Sequence, residues 1–210
     1  MKSVLISIRP QWCEKIASGK KTIEVRKSAP KEVPFKAYIY ATRPKKYYKC
    51  GAVCTSDELL WLSNGKVEMG DGFKFWADGD EYQCLNGRII GEFICDKVYN
   101  LVNAFGGIMF ADENLNQLEP QLFRDMSCLT DEQTANYLGD KDGYGLHITD
   151  LKIYDKPKKL SEFGRKCDYA SEIHCRDCLI LGDWDSCCGV MCKPLTRPPQ
   201  SYMFVEEVEQ

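Results

Sequence analysis

"GKKTIEVRK", residues 19–27, has β-branched residues at Thr22, Ile23 and Val25 and a charge at nearly every second position. Such a stretch reads as a strand, and two kinds of strand fit it: a solvated edge, or the wall of a polar pocket. Side chains alternate across a strand, so Glu24 and Arg26 share one face and Ile23 and Val25 the other. The aliphatic face accounts for the strand's folding and leaves the charged pair for a ligand. Lys21 is off that parity and reaches the same side only where the turn after Gly19 carries it there. A lysine desolvated between apolar walls can act as base or nucleophile, whereas a carboxylate beside it holds the charged form. Glu24 therefore argues for a charged, binding lysine. As an exposed ion pair, Glu24 and Arg26 would contribute less than about 1 kcal/mol.

A chain of 210 residues buries a core without a partner and fits a single elaborated domain. The formal net charge is −3, so any attraction to nucleic acid must come from a local patch, and a strongly basic, histone-like binder is excluded. The N-terminal "MKSVLISIRPQWCEK" lacks the apolar core of a signal peptide, and no run approaches the ~20 apolar residues of a membrane span. The expectation is a soluble, cytoplasmic protein without a membrane partner. Twelve cysteines in a reducing compartment point to metal ligation rather than disulfides.

Along the chain, "SVLISI" reads as a buried strand. "RPQWCEKIASG" reads as a helix opened by Pro10 and closed by Gly19, with Trp12, Ile16 and Cys13 on one face. In "PFKAYIYATRP", Ala37, Ile39 and Ala41 alternate with Tyr38, Tyr40 and Thr42. Residues 45–87 read as a β-rich inserted arm, with short strands around "ELLWL", "KVEM" and "FKFW" and turns at "SNG" and "ADGDE". "GRIIGEFICDKVYNL" is a core strand. "LTDEQTANYLG" is a helix with a capping box at Thr130 and Gln133 and a stop at Gly139. "YGLHITDLKIYD" is a strand, "KPKKLSEFG" a short helix and "PPQSYMFVEEV" a closing strand. Many short strands with few helices suggest a closed or half-closed barrel with helices at its mouth.

The blocks "SIRPQWCEKIASGKKTIEVR", "YIYATRP", "GRIIGEFICDKV", "YGLHITDLKIYDKPKKLSEF" and "RPPQSYMFVEE" together resemble the ASCH domain of the PUA-like superfamily, in the form common in bacterial and prophage genes. The signature G-x-K-x-x-E-x-R is met at Gly19, Lys21, Glu24 and Arg26. The resemblance leaves residues 45–87 and 164–196 as elaborations of one domain spanning 1–210. It implies an α+β, mainly-β fold: a PUA-like β-barrel with flanking helices, a cleft beside the signature strand, and binding of RNA or a modified nucleoside. One branch of the wider family hydrolyses N4-acylated cytidines with a lysine at the position of Lys21 and a threonine three residues on, where this chain has Glu24.

Other residues are candidates on their own chemistry. Arg9 directly follows the first strand, where it could hold phosphate or begin a helix in solvent. Tyr40 and Arg43 offer a stacking ring and a cation near a strand end, though Tyr38 and Tyr40 also fit a barrel surface. Glu92 lies in the apolar run "IIGEFIC", where a charge is costly without water or a partner. His147 is one of two histidines able to serve acid–base chemistry, or a packed strand residue. Gln200, Ser201 and Tyr202 present an amide and hydroxyls suited to a base edge, after a rigid Pro198–Pro199 entry.

The segment 164–196 concentrates Cys175 and Cys178 in C-x-x-C spacing with Cys187, Cys188 and Cys192, a zinc-knuckle pattern in which Cys167 or His174 could substitute. Free thiols or a redox pair are the alternative. Cys50 and Cys54 are a weaker second pair. The expected function is RNA or modified-nucleoside binding, regulatory in kind. Its rivals are a nucleoside amidohydrolase or ribonuclease using Lys21 with Glu24, and a phage-derived protein-interaction adaptor.

Overall fold

The computed structural model describes residues 1–43, 48–50, 53–55, 59–63, 65–70, 83–104, 107–112, 117, 119–165 and 193–207. The chain opens with β1 (Ser3–Ile8), α1 (Pro10–Ala17), β2 (Ile23–Arg26) and β3 (Phe35–Ala41). Pro10 stands at the start of α1, and Gly19, at φ 74°, turns the chain after it. Short strands follow: β4 (Tyr48–Cys50), β5 (Val53–Thr55), β6 (Leu59–Ser63), β7 (Lys66–Gly70) and β8 (Gln83–Cys84). "FKFW", the third strand expected in this stretch, and the "ADGDE" turn lie outside the described residues.

"GRIIGEFICDKVYNL" divides into β9 (Ile89–Cys95) and β10 (Val98–Ala104), and β11 (Gly107–Ala111) pairs back on β10. Helix α2 (Pro120–Ser127) was not foreseen in the sequence; α3 (Asp131–Leu138) was, with its capping box formed as expected between Thr130 and Gln133. "YGLHITDLKIYD" likewise divides, into β12 (Gly143–His147) and β13 (Thr149–Lys158). The helix expected in "KPKKLSEFG" is a single 3₁₀ turn, Leu160–Glu162, because β13 extends through Lys158. The last strands are β14 (Phe163–Arg165), β15 (Lys193–Pro194), β16 (Tyr202–Phe204) and β17 (Glu206–Glu207).

The fold is mainly β, with three α-helices among the described residues. One sheet has the order β13-β9-β3-β1-β16, and a second the order β11-β10-β12-β2. β1 and β3 run parallel, while the other pairs of both sheets are antiparallel. Of the closed or half-closed barrel expected, the closed form is not found: among the described residues no sheet closes on itself. The chain crosses from one sheet to the other at Ile148, between β12 and β13. Strands β2 and β11 remain edges of the second sheet, and β13 and β16 edges of the first.

Alternation explains how the layers hold together. Val4, Ile6 and Ile8 of β1 and Phe35, Ala37, Ile39 and Ala41 of β3 face a core shared with Phe93, Leu146 and Ile16. The opposite face of the first sheet sends Leu5, Tyr38 and Tyr40 into a second cluster under Phe163 and Val205. Within residues 45–87, Leu60 and Val67 are buried in the same core as Ile8 and Ile16.

A third cluster joins Ile23 and Val25 of β2 to Leu101, Phe110, Phe123 and Leu138, fastening α2 and α3 to the outer face of the second sheet. Phe123 is fully buried and stacks on Phe110 at 3.5 Å between ring centroids. Phe123→Ala should therefore cost about 3–5 kcal/mol in chemical denaturation, and it should loosen the α2 end that contacts Lys21, described next.

Candidate functional site

Every residue of β2 is buried, which settles the reading of the opening stretch. The strand is an edge strand by pairing, but it is not solvated. Ile23 and Val25 anchor it to α2, and the opposite face turns Glu24 and Arg26 toward a cleft.

The turn at Gly19 brings Lys21 to that cleft. Gly19 N–H donates to the Ile16 carbonyl at 2.9 Å, and Lys21 N–H donates to the Lys15 carbonyl at 2.9 Å, so the chain doubles back on α1. Thr22 N–H then donates to Met126 O at 2.8 Å, and Thr22 O accepts from Ile148 N–H at 2.9 Å. These bonds hold the backbone on both sides of Lys21.

The three charged side chains form one buried chain of contacts. Lys21 Nζ donates to the Ser127 carbonyl at 2.5 Å and lies 3.5 Å from Glu24 Oε2. Glu24 Oε1 is 3.0 Å from Arg26 Nη2, which also donates to the Ser7 carbonyl at 2.6 Å. Trp12 sits beside Lys21, its ring centroid 5.2 Å from Nζ. Arg26 Nε is buried and finds no acceptor among the described residues. With all three groups ionised, two cations share one carboxylate, so the buried set carries an excess positive charge.

Burial pushes the Lys21 ammonium below its ordinary range, and Glu24 opposes that shift by favouring the charged form. The triad also has a structural role: removing one partner of a buried pair typically costs about 3–5 kcal/mol, because a charge is left uncompensated. The charged residues are thus not left over from folding, as the strand pattern alone suggested.

Around this floor opens a cleft of about 1360 Å³, wider than the ~300–1,000 Å³ of most small-molecule pockets. Among the described residues its lining includes Arg9, Lys21, Arg26, Lys27, Arg43, Arg88 and Lys159, seven cations against the one carboxylate of Glu24. Tyr40 and Gln200, both expected as site residues, also line it.

Four other expected residues lie elsewhere. Ser201 is next to the lining, where its carbonyl accepts from Ser7 N–H at 3.2 Å and its buried hydroxyl has no partner among the described residues. Tyr202 packs against the main core. Glu92 does not line the cleft although it shares the Tyr38 and Tyr40 face of the first sheet; it accepts from the Tyr154 hydroxyl at 2.5 Å and lies 3.4 Å from Lys36 Nζ. His147 pairs through Nδ1 with Asp96 Oδ1 at 2.8 Å, at the far end of β12. The metal candidates Cys175, Cys178, Cys187, Cys188 and Cys192, with Cys167 and His174, lie outside the described residues, and no group of three or more ligating side chains occurs among the described ones.

Sequence reasoning did not place Ser127, Arg88, Asn136, Tyr137 or Lys159 at this cleft, and it treated Trp12 only as a helix-face residue. Their positions follow from strand order and helix docking, which no local pattern encodes.

The fold and site define a mainly-β protein with a cationic cleft floored by a buried lysine–glutamate–arginine set. No family model and no curated protein matches the chain. Solved structures similar to it include an ASCH protein from Zymomonas mobilis, at 18% identity and a TM-score of 0.46, covering 98% of this chain and 88% of that one. Two mutant forms of the same protein are similar at 18% and 16% identity, with TM-scores of 0.48 and 0.46. Each covers 98% of this chain, and 89% and 91% of theirs.

The lowered Lys21 value has a testable sign. The unfolded chain binds a proton at Lys21 that the native state has already released, in the window above the lowered native value and up to the ordinary 10.5. Stability should rise with pH across that window relative to Lys21→Met, which removes the group from both states. A difference between wild type and variant that does not vary with pH in chemical denaturation would contradict the shift.

Proposed function

We propose that the cleft binds RNA or a modified nucleoside. The observation that carries this reading is the charge distribution. The chain has a net charge of −3, yet among the described residues seven cations and one carboxylate converge on one cleft. Cation-rich grooves attract phosphate backbones and raise local ligand concentration. Trp12, Tyr40 and Tyr137 add aromatic surface to the same lining, and rings of this kind stack on unpaired bases. The five sequence blocks that resemble ASCH domains supply the same expectation from a different direction.

Lys21 supports binding better than nucleophilic catalysis. Its ammonium is tied to the Ser127 carbonyl and to Glu24, and a nucleophilic amine needs a free lone pair. The amidohydrolase or ribonuclease reading stays attached to one observation, the burial that lowers its proton affinity.

The test is binding of a short single-stranded RNA and of free cytidine, plain and N4-acylated, at two salt concentrations. Wild type should bind, and RNA affinity should fall with salt by about 0.7 of a log unit per phosphate contact for each log unit of salt. Lys21→Ala with Glu24→Gln and Arg26→Ala should abolish most of the binding while circular dichroism still reports a folded chain. Undiminished binding in that folded variant would remove the cleft from consideration. Cleaved RNA or deacylated cytidine recovered after incubation would establish the enzymatic reading instead.

We also propose that the cysteine-rich segment holds zinc. Strands β14 and β15 pair antiparallel, with Gly164 opposite Pro194 and Arg165 opposite Lys193, so the segment leaves and returns at one place. That arrangement suits an appendage closed by its own ligands, which Cys175, Cys178 and the 187–192 cysteines would supply as thiolates. Purified protein should carry about one zinc per chain by elemental analysis; substoichiometric metal in protein prepared without chelator would count against it.

A further inference from the structure

We infer that an RNA strand in this cleft is held with a fixed orientation: its phosphates lie along a row of arginines at one end of the first sheet, and a base faces α3, where Asn136 reads its edge. This rests on the RNA-binding reading above.

The arginine row follows from topology. β1 and β3 are parallel, so Arg9, directly after β1, and Arg43, two residues after β3, emerge at the same end of the sheet. β9 runs antiparallel to β3, so Arg88, directly before β9, emerges there too. Neighbouring strands are ~4.8 Å apart, which spaces three guanidinium groups along one rim. Ala41 N–H donates to Arg88 O at 2.9 Å and Gly87 N–H to Ala41 O at 2.7 Å, locking the two corners together. Gly87, at φ 80°, also makes room for Arg43: a Cβ there would stand 2.5 Å from Arg43 Nε. The guanidinium lies against bare backbone that no other residue type could offer. A planar fork held this way suits bidentate contact with phosphate.

The α3 wall has the opposite character. Its cleft-lining residues are Gln133, Asn136 and Tyr137, all neutral. The Gln133 amide oxygen is already used, accepting from Thr130 N–H at 3.1 Å in the capping box. Asn136 is exposed, and its side chain makes no hydrogen bond among the described residues. Its amide therefore offers a donor and an acceptor side by side. Tyr137 beside it is 40% exposed, with Lys27 Nζ 5.5 Å from its ring centroid. A ring next to an unengaged amide can stack a base and read its edge at once. A carboxamide pairs bidentately with adenine through N6 and N7, whereas guanine favours arginine or lysine. The ligand class is accordingly single-stranded RNA with an adenine at the α3 wall.

The experiment measures binding of labelled oligo(A), oligo(C) and oligo(U) ribonucleotides of equal length to wild type, Asn136→Ala and Arg43→Ala. Wild type should prefer oligo(A). Asn136→Ala, an exposed change that leaves the helix cap intact, should weaken oligo(A) by roughly ten-fold with little change for oligo(U) and the same salt slope. Arg43→Ala should weaken all three alike and lower the salt slope by about 0.7. Equal wild-type affinity for the three oligomers, or an adenine preference that survives Asn136→Ala, would overturn the assignment of the base wall while RNA binding itself stood. A base-selective loss in Arg43→Ala would overturn the assignment of the phosphate wall. Failure of wild type to bind any of the three would overturn the RNA reading and this inference with it.

Discussion

Glu24 is the one carboxylate among the described residues that line the cleft, and it stands between two buried cations, 3.5 Å from Lys21 Nζ and 3.0 Å from Arg26 Nη2. A buried charge is tolerated only when it is paired and hydrogen-bonded, so the surrounding backbone has to deliver partners to each member. The Ser127 carbonyl at the end of α2 meets Lys21, and the Ser7 carbonyl near the end of β1 meets Arg26. The triad thereby ties the helical layer to the first sheet through β2. Its electrostatic balance also sets the character of the cleft, because one carboxylate does not neutralise two cations.

The two sheets are what make this arrangement possible. A common core of aliphatic residues between them holds the C-terminal ends of β1 and β3 beside β2. The outer cluster under α2 and α3 holds β2 from behind. Charged residues on β2 are thus enclosed by apolar packing on either side, which lowers the local dielectric and strengthens each contact. The same enclosure disfavours the lysine's charge, and Glu24 and the Ser127 carbonyl offset that cost without removing it. Along the rim, exposed arginines and lysines extend the positive surface toward solvent, where salt would screen them.

Much of this was legible in the chain itself. The parity of "IEVR" correctly separated an aliphatic face from a charged one, and Pro10, Gly19 and the Thr130–Gln133 box correctly marked helix ends. Those signals are local, involving residues within one turn or one strand. The same logic overstated strand length: "GRIIGEFICDKVYNL" and "YGLHITDLKIYD" each contain two strands, because the crossing from one sheet to the other leaves the apolar pattern almost unbroken. Helix α2 was missed although Leu122, Phe123 and Met126 fall at helical spacing, because an eight-residue helix without a side-chain cap carries few local signals.

The sequence by itself determined which residue types face one another along each strand, which chemistry Lys21, Glu24 and Arg26 could offer, and that attraction to an anion had to be local in a chain of net charge −3. Tertiary structure decided the rest. It buried all four residues of β2 although that strand is an edge. It sent Glu92 and His147 away from the cleft, and it brought in Arg88, Asn136 and Ser127 from distant segments. The physical reason is that alternation and capping are properties of neighbours in sequence, whereas strand order and helix docking arise from burial shared by residues a hundred positions apart, as Lys21 and Ser127 show.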